Sequence, residues 1–598
     1  MHIFRIKVAG QESKGNHKTF SKFKLGHYPL FSEFAIIQRI VYFLEIGHMK
    51  NIMLVFLVAC PAAWGATYYI AANGSDSHTA AQARTKSLAW AHLPGMADCG
   101  AACASFAPAA GDSFILRGGD TWGASSQVVD WHWPGTAASW IYIGVDKTWY
   151  AGGSWKRPVF DCRGTACASG GNQLQVSGSY VIIDNMEFTG LYKDTGGGGA
   201  NSVLTLNSFI EVRNCYVHGW THAAGSTDNG QSYSIEAHGG YPHDETSFHD
   251  NVIDGAGGAQ NDGNGILNGT YVYNNVIRYV VSGLLGDFNV VHDNLVEHNV
   301  LSYAGDHCNL IFVFHPESGS RLLAYNNVVR HSGCAGGMAF WLNGNAGCAS
   351  CTTYAFNNVL YDVDNGIMAI GAHPSSGNTG TYYVYNNTVM SNGGACMGNG
   401  EASPRSVTHY ANNHCVNANS YCDVTGTTGV NDGGNVLQTT AQAAAQGYNA
   451  GQLYALSPAA ANNATVGAGV NFSNLCATMP DLCRDATYAV EYDSVNHAVV
   501  APARAPKPRP STGNWDAGAY EYGAAGIIRA DAGPRALSLR HANPMSVGMF
   551  RRYVQSNRGL MVYDLAGKRV DNRSIPNNGF FFISQNENSP LEKVLVLP

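Results

Sequence analysis

Asp250-Asn251-Val252-Ile253, Asn274-Asn275-Val276-Ile277 and Asp293-Asn294-Leu295-Val296 are copies of one phrase: Asn or Asp, then Asn, then two apolar residues. It returns as Asn326-Asn327-Val328-Val329, Asn357-Asn358-Val359-Leu360 and Asn386-Asn387-Thr388-Val389, and more loosely at Ile183-Asp184-Asn185, Arg213-Asn214-Cys215 and Asn412-Asn413-His414-Cys415. The second Asn falls at 185, 214, 251, 275, 294, 327, 358, 387 and 413, in steps of 29, 37, 24, 19, 33, 31, 29 and 26. A constant phrase at a variable period marks a solenoid with loops let out between its rungs. The unit is short and rich in Gly, Asn and β-branched residues. Tyr271-Val272-Tyr273 and Tyr382-Tyr383-Val384-Tyr385 read as strands. Helical repeats would need amphipathic runs of about ten or more residues between the phrases, and there are none. The expected fold is all-β, a parallel β-helix whose rungs lie about 4.8 Å apart. An Asn repeated at one bend bonds through its amide to the rungs above and below, so the Asn column is structural rather than catalytic.

Three stretches carry a family resemblance. They are the entry, Thr67 to Asp76 followed by Ala110 to Trp122, the Asn phrases, and the exit, Arg509-Pro-Ser-Thr-Gly-Asn-Trp-Asp-Ala-Gly-Ala-Tyr-Glu521. Together, over roughly residues 67–522, the chain resembles the bacterial right-handed parallel β-helix proteins of the pectin-lyase-like fold. The resemblance implies a capping segment, a stack of coils and a closing phrase. It does not choose an activity, because that fold hosts lyases, hydrolases, isomerases and adhesins.

Met49-Lys50-Asn51, the apolar run Ile52 to Ala59 and Ala63-Trp64-Gly65 read as a signal peptide over 49–65, too short to span a membrane as a helix. Residues 1–48 then read as an extension from a mis-assigned start, and Leu57-Val58-Ala59-Cys60 as an alternative lipoprotein box. Of fifteen cysteines, Cys60 lies in the leader and fourteen remain. In an exported protein the close pairs Cys99/Cys103, Cys162/Cys167, Cys348/Cys351, Cys415/Cys422 and Cys476/Cys483 are expected to be local disulfides. Cys348-Ala349-Ser350-Cys351 has a redox or zinc reading as alternative, but no second such pair stands at zinc-site spacing.

Residues 66–523, the solenoid body, carry 17 Lys and Arg against 34 Asp and Glu, a formal −17, with no Lys between Lys193 and Lys507. Such a body does not steer nucleic acid toward itself. It also disfavours a cleft lined with basic side chains unless a bound cation such as Ca²⁺ reverses the local field. Residues 524–558 read as a linker. Residues 559–598 hold three strand-like runs, expected as a small β-sandwich module. They resemble the C-terminal sorting domain of type IX-secreted bacterial proteins, departing at Phe580-Phe581-Phe582, where such domains more often carry Tyr; a carbohydrate-binding module is the alternative. That resemblance implies outer-membrane secretion machinery as a partner and a secreted or surface location for a monomer.

Residues at equal offsets from the ladder Asn stack over one another. At offset three stand Asp254, Arg278, Glu297, Arg330 and Tyr361, an expected ladder of salt bridges, each worth about 0–1 kcal/mol if exposed. At offset four stand Gly255, Tyr279, His298, His331 and Asp362, which offer an acid, a base and an orienting carboxylate, or metal ligands. The long excursions 214–251 and 294–327 are expected to wall a cleft. They carry Trp220, His222, Glu236, His238, His243, Asp244 and Glu245, and Asp306, His307, His315 and Glu317. Catalytic candidates are therefore Tyr279, His298, His331, Asp362, Asp306 and His307. Trp220, Tyr241 and Trp341 are candidates to stack on sugar rings, and Arg278 and Arg330 to neutralise a substrate carboxylate. Asn261-Asp-Gly-Asn-Gly265 and Asp362-Val-Asp-Asn-Gly366 are candidate Ca²⁺ loops without EF-hand spacing. The expected function is an exported polysaccharide-active enzyme, lyase or glycoside hydrolase, with a non-catalytic adhesin or glycan-binding stalk as alternative. For a hydrolase, Asp254 with Glu297 and Asp306 with Asp362 are the candidate carboxylate pairs.

Overall fold

The computed structural model describes residues 65–523, apart from residues 127, 419 and 503 and the stretches 166–171, 194–202, 223–232, 238–244, 256–262, 300–308, 315–318, 334–337, 345–349, 365–366, 375–378, 392–394, 400–406 and 423–427, together with five strands between 545 and 597. The described strands of the rungs pair in parallel with their counterparts above and below, while Glu491–Asp493 and Ala498–Val500 form a separate antiparallel pair. The described strands form a 22-stranded sheet bent into two faces and a 13-stranded sheet that makes the third. The fold is a right-handed parallel β-helix, as the repeat implied.

One rung shows how the sequence makes a coil. The strand Asn264–Tyr273 runs along the first face, bends at Asn268 and Gly269, where φ is positive, and continues on the second. Asn274, at φ 55°, turns the chain; Val276–Arg278 forms the third face; Tyr279, at φ 53°, turns it again. Alternate side chains point inward. Ile266 and Leu284 from the first face, Val272 and Val291 from the second and Ile277 and Val296 from the third fill a continuous core.

Each phrase divides its labour between two residues. The first, at Asp250, Asn274, Asp293, Asn326, Asn357, Asn386 and Asn412, holds a φ between 55 and 58°. That is the left-handed region, which Asn and Asp occupy at less cost than other side-chain-bearing residues. The second is the ladder. Asn294 donates its backbone N–H and its Nδ2 to Asn327 Oδ1 at 3.1 and 3.0 Å, and Asn327 Nδ2 donates to Val291 O at 3.1 Å. The same pattern links Asn251 to Asn275 and runs on to Asn435. In the first two rungs the expected register is one residue early. Asn185 and Asn214 hold the left-handed turn, at φ 58 and 55°, while Met186 and Cys215 take the ladder seats. Cys215 N–H donates to Asn251 Oδ1 at 3.0 Å.

A segment without repeats, residues 439–522, leaves the last rung through a helix over Thr440–Ala445, capped by Thr439, and returns along the stack. It touches Asn412 through Val470, Asn357 through Arg509, Asp293 through Thr487 and Arg157 through Asn496. Buried ion pairs Arg509–Glu521 and Arg504–Asp485, both 2.7 Å, tie this strap to itself. It covers Val252, Val276, Leu295, Val328 and Val359 on the outside of the third face. The expected exit phrase lies within it.

Cys99–Cys103 and Cys476–Cys483 are disulfides as expected, but Cys415 pairs with Cys396 rather than Cys422. Cys396, on the first-face strand Ala395–Asn399, and Cys415, on the third-face strand His414–Val416, meet across the interior of one turn, a proximity that sequence distance hides. Cys162 and Cys351 are also disulfide-bonded. Cys215 is free and buried, so the even count does not mean complete pairing. Replacing Cys396 and Cys415 together by alanine is expected to cost about 3 kcal/mol, the loop entropy released by a separation of 19 residues. Denaturant unfolding of the pair variant measures it. Peptide mapping that linked Cys415 to Cys422 would contradict the pairing.

His414, fully buried with Nε2 2.8 Å from Gln438 Oε1, has its pKa pushed down by burial to about 4. The unfolded imidazole takes a proton near pH 6.5 and the folded one does not until about 4. Stability is therefore unaffected above that window and is lost as pH falls through it, by about 3 kcal/mol in total. Urea midpoints at neutral pH and at pH about 5 should diverge in the parent and converge in His414→Gln.

Beyond the strap, Met545–Ser546, Glu592–Leu597, Gly579–Ser584, Met561–Tyr563 and Arg569–Val570 form one five-stranded sheet in that order. Its first strand comes from the range read as a linker. Residues 1–64, with the leader and Cys60, lie outside the described residues.

Candidate functional site

The corner after the third face is where ionisable side chains gather. In two early rungs it is made by Gly190 and Gly219, at φ 72 and 65°, the residue type that adopts this conformation without strain. In the middle rungs the same corner carries Tyr279, His298, His331 and Asp362, at φ 53, 55, 50 and 51°. Left-handed backbone costs a side-chain-bearing residue roughly 1–2 kcal/mol. Four such positions in consecutive rungs, at a corner that Gly190 and Gly219 make in early rungs and Asn417 makes at φ 58° in a later one, form a cluster of strain of the kind that accompanies functional sites.

The four side chains form one column. Tyr279 stacks on His298 at 5.2 Å between ring centroids, and His298 stacks on His331 at 5.5 Å. His331 Nδ1 lies 2.5 Å from Asp362 Oδ2, which places the proton on Nδ1 and leaves Nε2 free. Asp362 is the most open member, its side chain 58% exposed, and that of His331 is 39% exposed. Burial first, then Arg278, His331 and Arg330, hold the His298 pKa below that of an ordinary imidazole against the pull of Glu297. Behind the column, buried Asn299 and Ser332 fix the turn. Asn299 N–H donates to Ser332 Oγ at 3.2 Å, and Asn299 Nδ2 donates to Val281 O at 3.3 Å.

Offset three is a ladder of ion pairs, and it is mostly covered. Glu297 sits between two arginines, with Arg330 Nε 2.9 Å and Arg278 Nη1 3.8 Å from its carboxylate, and Arg278 also faces Asp254 at 3.9 Å. The strap lies over them. Arg278 is sandwiched 4.7 Å from the rings of both Tyr279 and Tyr492, and Tyr361 hydroxyl meets Tyr488 hydroxyl at 2.6 Å. Two expectations fall here. Arg278 and Arg330 are committed to protein carboxylates rather than to a substrate's. Asp254 and Glu297, bridged by Arg278, do not form a free catalytic pair.

Trp220 is likewise corrected. It is 3% exposed in the core against Gly263, so it cannot stack on a sugar. The signal for this was Gly219, whose left-handed turn redirects the chain inward. Glu236 is buried in the strand Tyr233–Ala237. Trp341 lies on the first-face strand Met338–Gly344, in register with Phe312. Asp306, His307, Tyr241, His238, His243, Asp244, His315 and Glu317 fall outside the described residues, as does part of each proposed Ca²⁺ loop. Among the described residues no cluster of three His, Cys, Asp or Glu could hold a metal. The strap residues Tyr488 and Tyr492, which back the column, were missed because nothing in their sequence repeats.

No protein-family model matches the chain, and no curated protein does. Among solved structures it is similar to pectate lyase Pel9A, at 15% identity and a TM-score of 0.37 over 76% of this chain and 96% of that one. It is similar to a rhamnogalacturonan lyase at 12% identity and a TM-score of 0.37, over 62% and 87%. It is also similar to the GH136 lacto-N-biosidase of Eubacterium ramulus at 12% identity and a TM-score of 0.36, over 62% and 68%. Similarity at this level assigns neither substrate nor catalytic residues.

Proposed function

We propose that this is an exported polysaccharide-cleaving enzyme whose chemistry takes place at the corner column Tyr279–His298–His331–Asp362. The observation that carries the reading is the alignment, in consecutive rungs at one left-handed corner, of four ionisable or aromatic side chains. The column's proton carriers are two imidazoles, and the neighbouring carboxylates Asp254 and Glu297 are tied to arginine. That inventory suits β-elimination from a uronate better than hydrolysis, which needs two carboxyl groups about 5–10 Å apart.

In this reading His298, kept neutral, takes the proton α to the uronate carboxylate. The electron pair left behind forms a carbon–carbon double bond and expels the glycosidic oxygen. His331 acts as the imidazolium: Asp362 holds its Nδ1 proton, its Nε2 proton goes to that oxygen, and solvent then takes the proton from His298 and returns one to His331 Nε2. Tyr279 stacks on His298 and fixes its plane. The leader-like segment 49–65 and the sorting-like tail support export through an outer-membrane route.

Residues 66–598 should be incubated with uronate and neutral polysaccharides, with and without EDTA, and the products weighed by mass spectrometry. The proposal expects products from a uronate polymer lighter by one water than those of hydrolysis. Loss with EDTA would add a cation to the mechanism. Silence across both polymer classes would move the reading to a non-catalytic surface protein.

A further inference from the structure

An early rung breaks the corner rule at the ladder edge. Ile143 pairs with Ile183, so the turn that Asn185 makes falls at Val145. Instead the strand Ile141–Tyr150 runs on, and the chain rejoins the third face only at Val159, which pairs with Glu187. The excursion carries Asp146, Lys147, Trp149, Tyr150, Trp155, Lys156 and Arg157.

Its aromatic and cationic groups are arranged rather than scattered. Trp149 meets Tyr69 edge-on at 5.1 Å. Lys86 Nζ, paired with Asp146 at 2.7 Å, lies 5.7 and 5.9 Å from the Tyr69 and Trp149 centroids. Lys147 Nζ stands 4.9 Å from the Trp155 centroid. Arg157 anchors the base through Asn214 O and Asn496 O. Lys147, Lys156 and Tyr150 are exposed, and Trp149 and Trp155 are half-buried. The body has five lysines, and Lys86, Lys147 and Lys156 are three of them. Among the described residues of a body of formal charge −17, this is where cations and accessible indoles coincide.

We propose that the excursion is a second, non-catalytic site that holds a uronate-bearing glycan chain. The indoles of Trp155 and Trp149 take the apolar faces of sugar rings, and Lys147 and Lys156 answer the carboxylates. The occupant class rests on the polysaccharide reading, but none of the residues belongs to the corner column. A site here tethers the polymer at the entry end of the stack.

The test is titration of a short oligogalacturonate into His331→Ala full-length chain, followed by tryptophan fluorescence, so that turnover plays no part. A neutral glucan oligomer of equal length is the control. The expected result is a saturable change for the uronate chain, weakened by added salt. Trp155→Ala should weaken it about tenfold, or about 1.4 kcal/mol. Lys147→Gln, which leaves the indole in place, should weaken it several-fold. Equal affinity for the neutral chain, or affinity unchanged in both variants, overturns the site. So does equally tight binding of single-stranded DNA that survives Trp155→Ala. Binding with no cleavage by the parent chain would keep this site and remove the enzyme reading; cleavage without binding here would do the reverse.

Discussion

His298→Ala is expected to lower kcat/KM on the responsive polymer by about 10²–10⁴-fold, the usual contribution of a positioned proton-transfer group. His331→Ala should fall in the same range. The double variant should lose little more than either single one, because the two imidazoles serve one elimination. Asp362→Asn keeps the shape but removes the carboxylate that fixes His331 Nδ1, and should cost about tenfold or more. The changes at 331 and 362 should lower thermal stability by no more than about 1 kcal/mol, since both side chains are exposed. Glycine at 331 should even stabilise the fold slightly while abolishing turnover, the signature of a position kept for chemistry. The pH profile adds a sign. His298 is held below the ordinary imidazole value, so it stays neutral as pH falls through 6.5 and the acid limb of kcat/KM should lie below that value. An acid limb at or above 6.5 would remove His298 as the base.

Asn327→Ala is expected to be among the most destabilising single changes in the body, at about 3–5 kcal/mol. The residue is fully buried, and its loss takes the acceptor from the Asn294 backbone N–H and from one of the two Asn294 Nδ2 hydrogens, the other staying on Val272 O, and removes a donor from the Val291 carbonyl. Each such group costs roughly 1–3 kcal/mol when left unpaired. The neighbouring Asn326 holds φ 57°, so Asn326→Gly should shift stability by no more than about 1 kcal/mol. Asn326→Val, which keeps a branched side chain at that φ, should cost more than glycine. Guanidinium unfolding of residues 66–598 with each variant separates ladder from turn. Similar losses at 326 and 327 would contradict that division.

How much was legible follows from the repeat. The phrase fixes the rung spacing, and with it the β-helix and the vertical alignment of Tyr279, His298, His331 and Asp362. The ladder itself was readable from Asn251 onward, because Asn occupies every seat there. It slipped by one residue before that, where Met186 and Cys215 hold the seats and only the turn Asn remains. The ladder of ion pairs at offset three was legible, but not its cover, because no repeat announces the strap. Tyr488 and Tyr492 reach Tyr361 and Arg278 across a sequence distance that no local pattern encodes. Trp220 read as a sugar platform because its loop looked long, whereas Gly219 turns it inward. Cys415 pairs in sequence with the nearer Cys422, whereas the closing of one turn brings Cys396 across the interior to it.

The central claim is that the corner column cleaves a uronate polymer by elimination. It is tested most directly by following the ultraviolet absorbance of unsaturated chain ends released by residues 66–598 and by the His298→Ala variant in parallel. The account expects absorbance to rise with the parent chain and to stay near baseline with the variant. New reducing ends without absorbance, or equal rates from the two proteins, would contradict it.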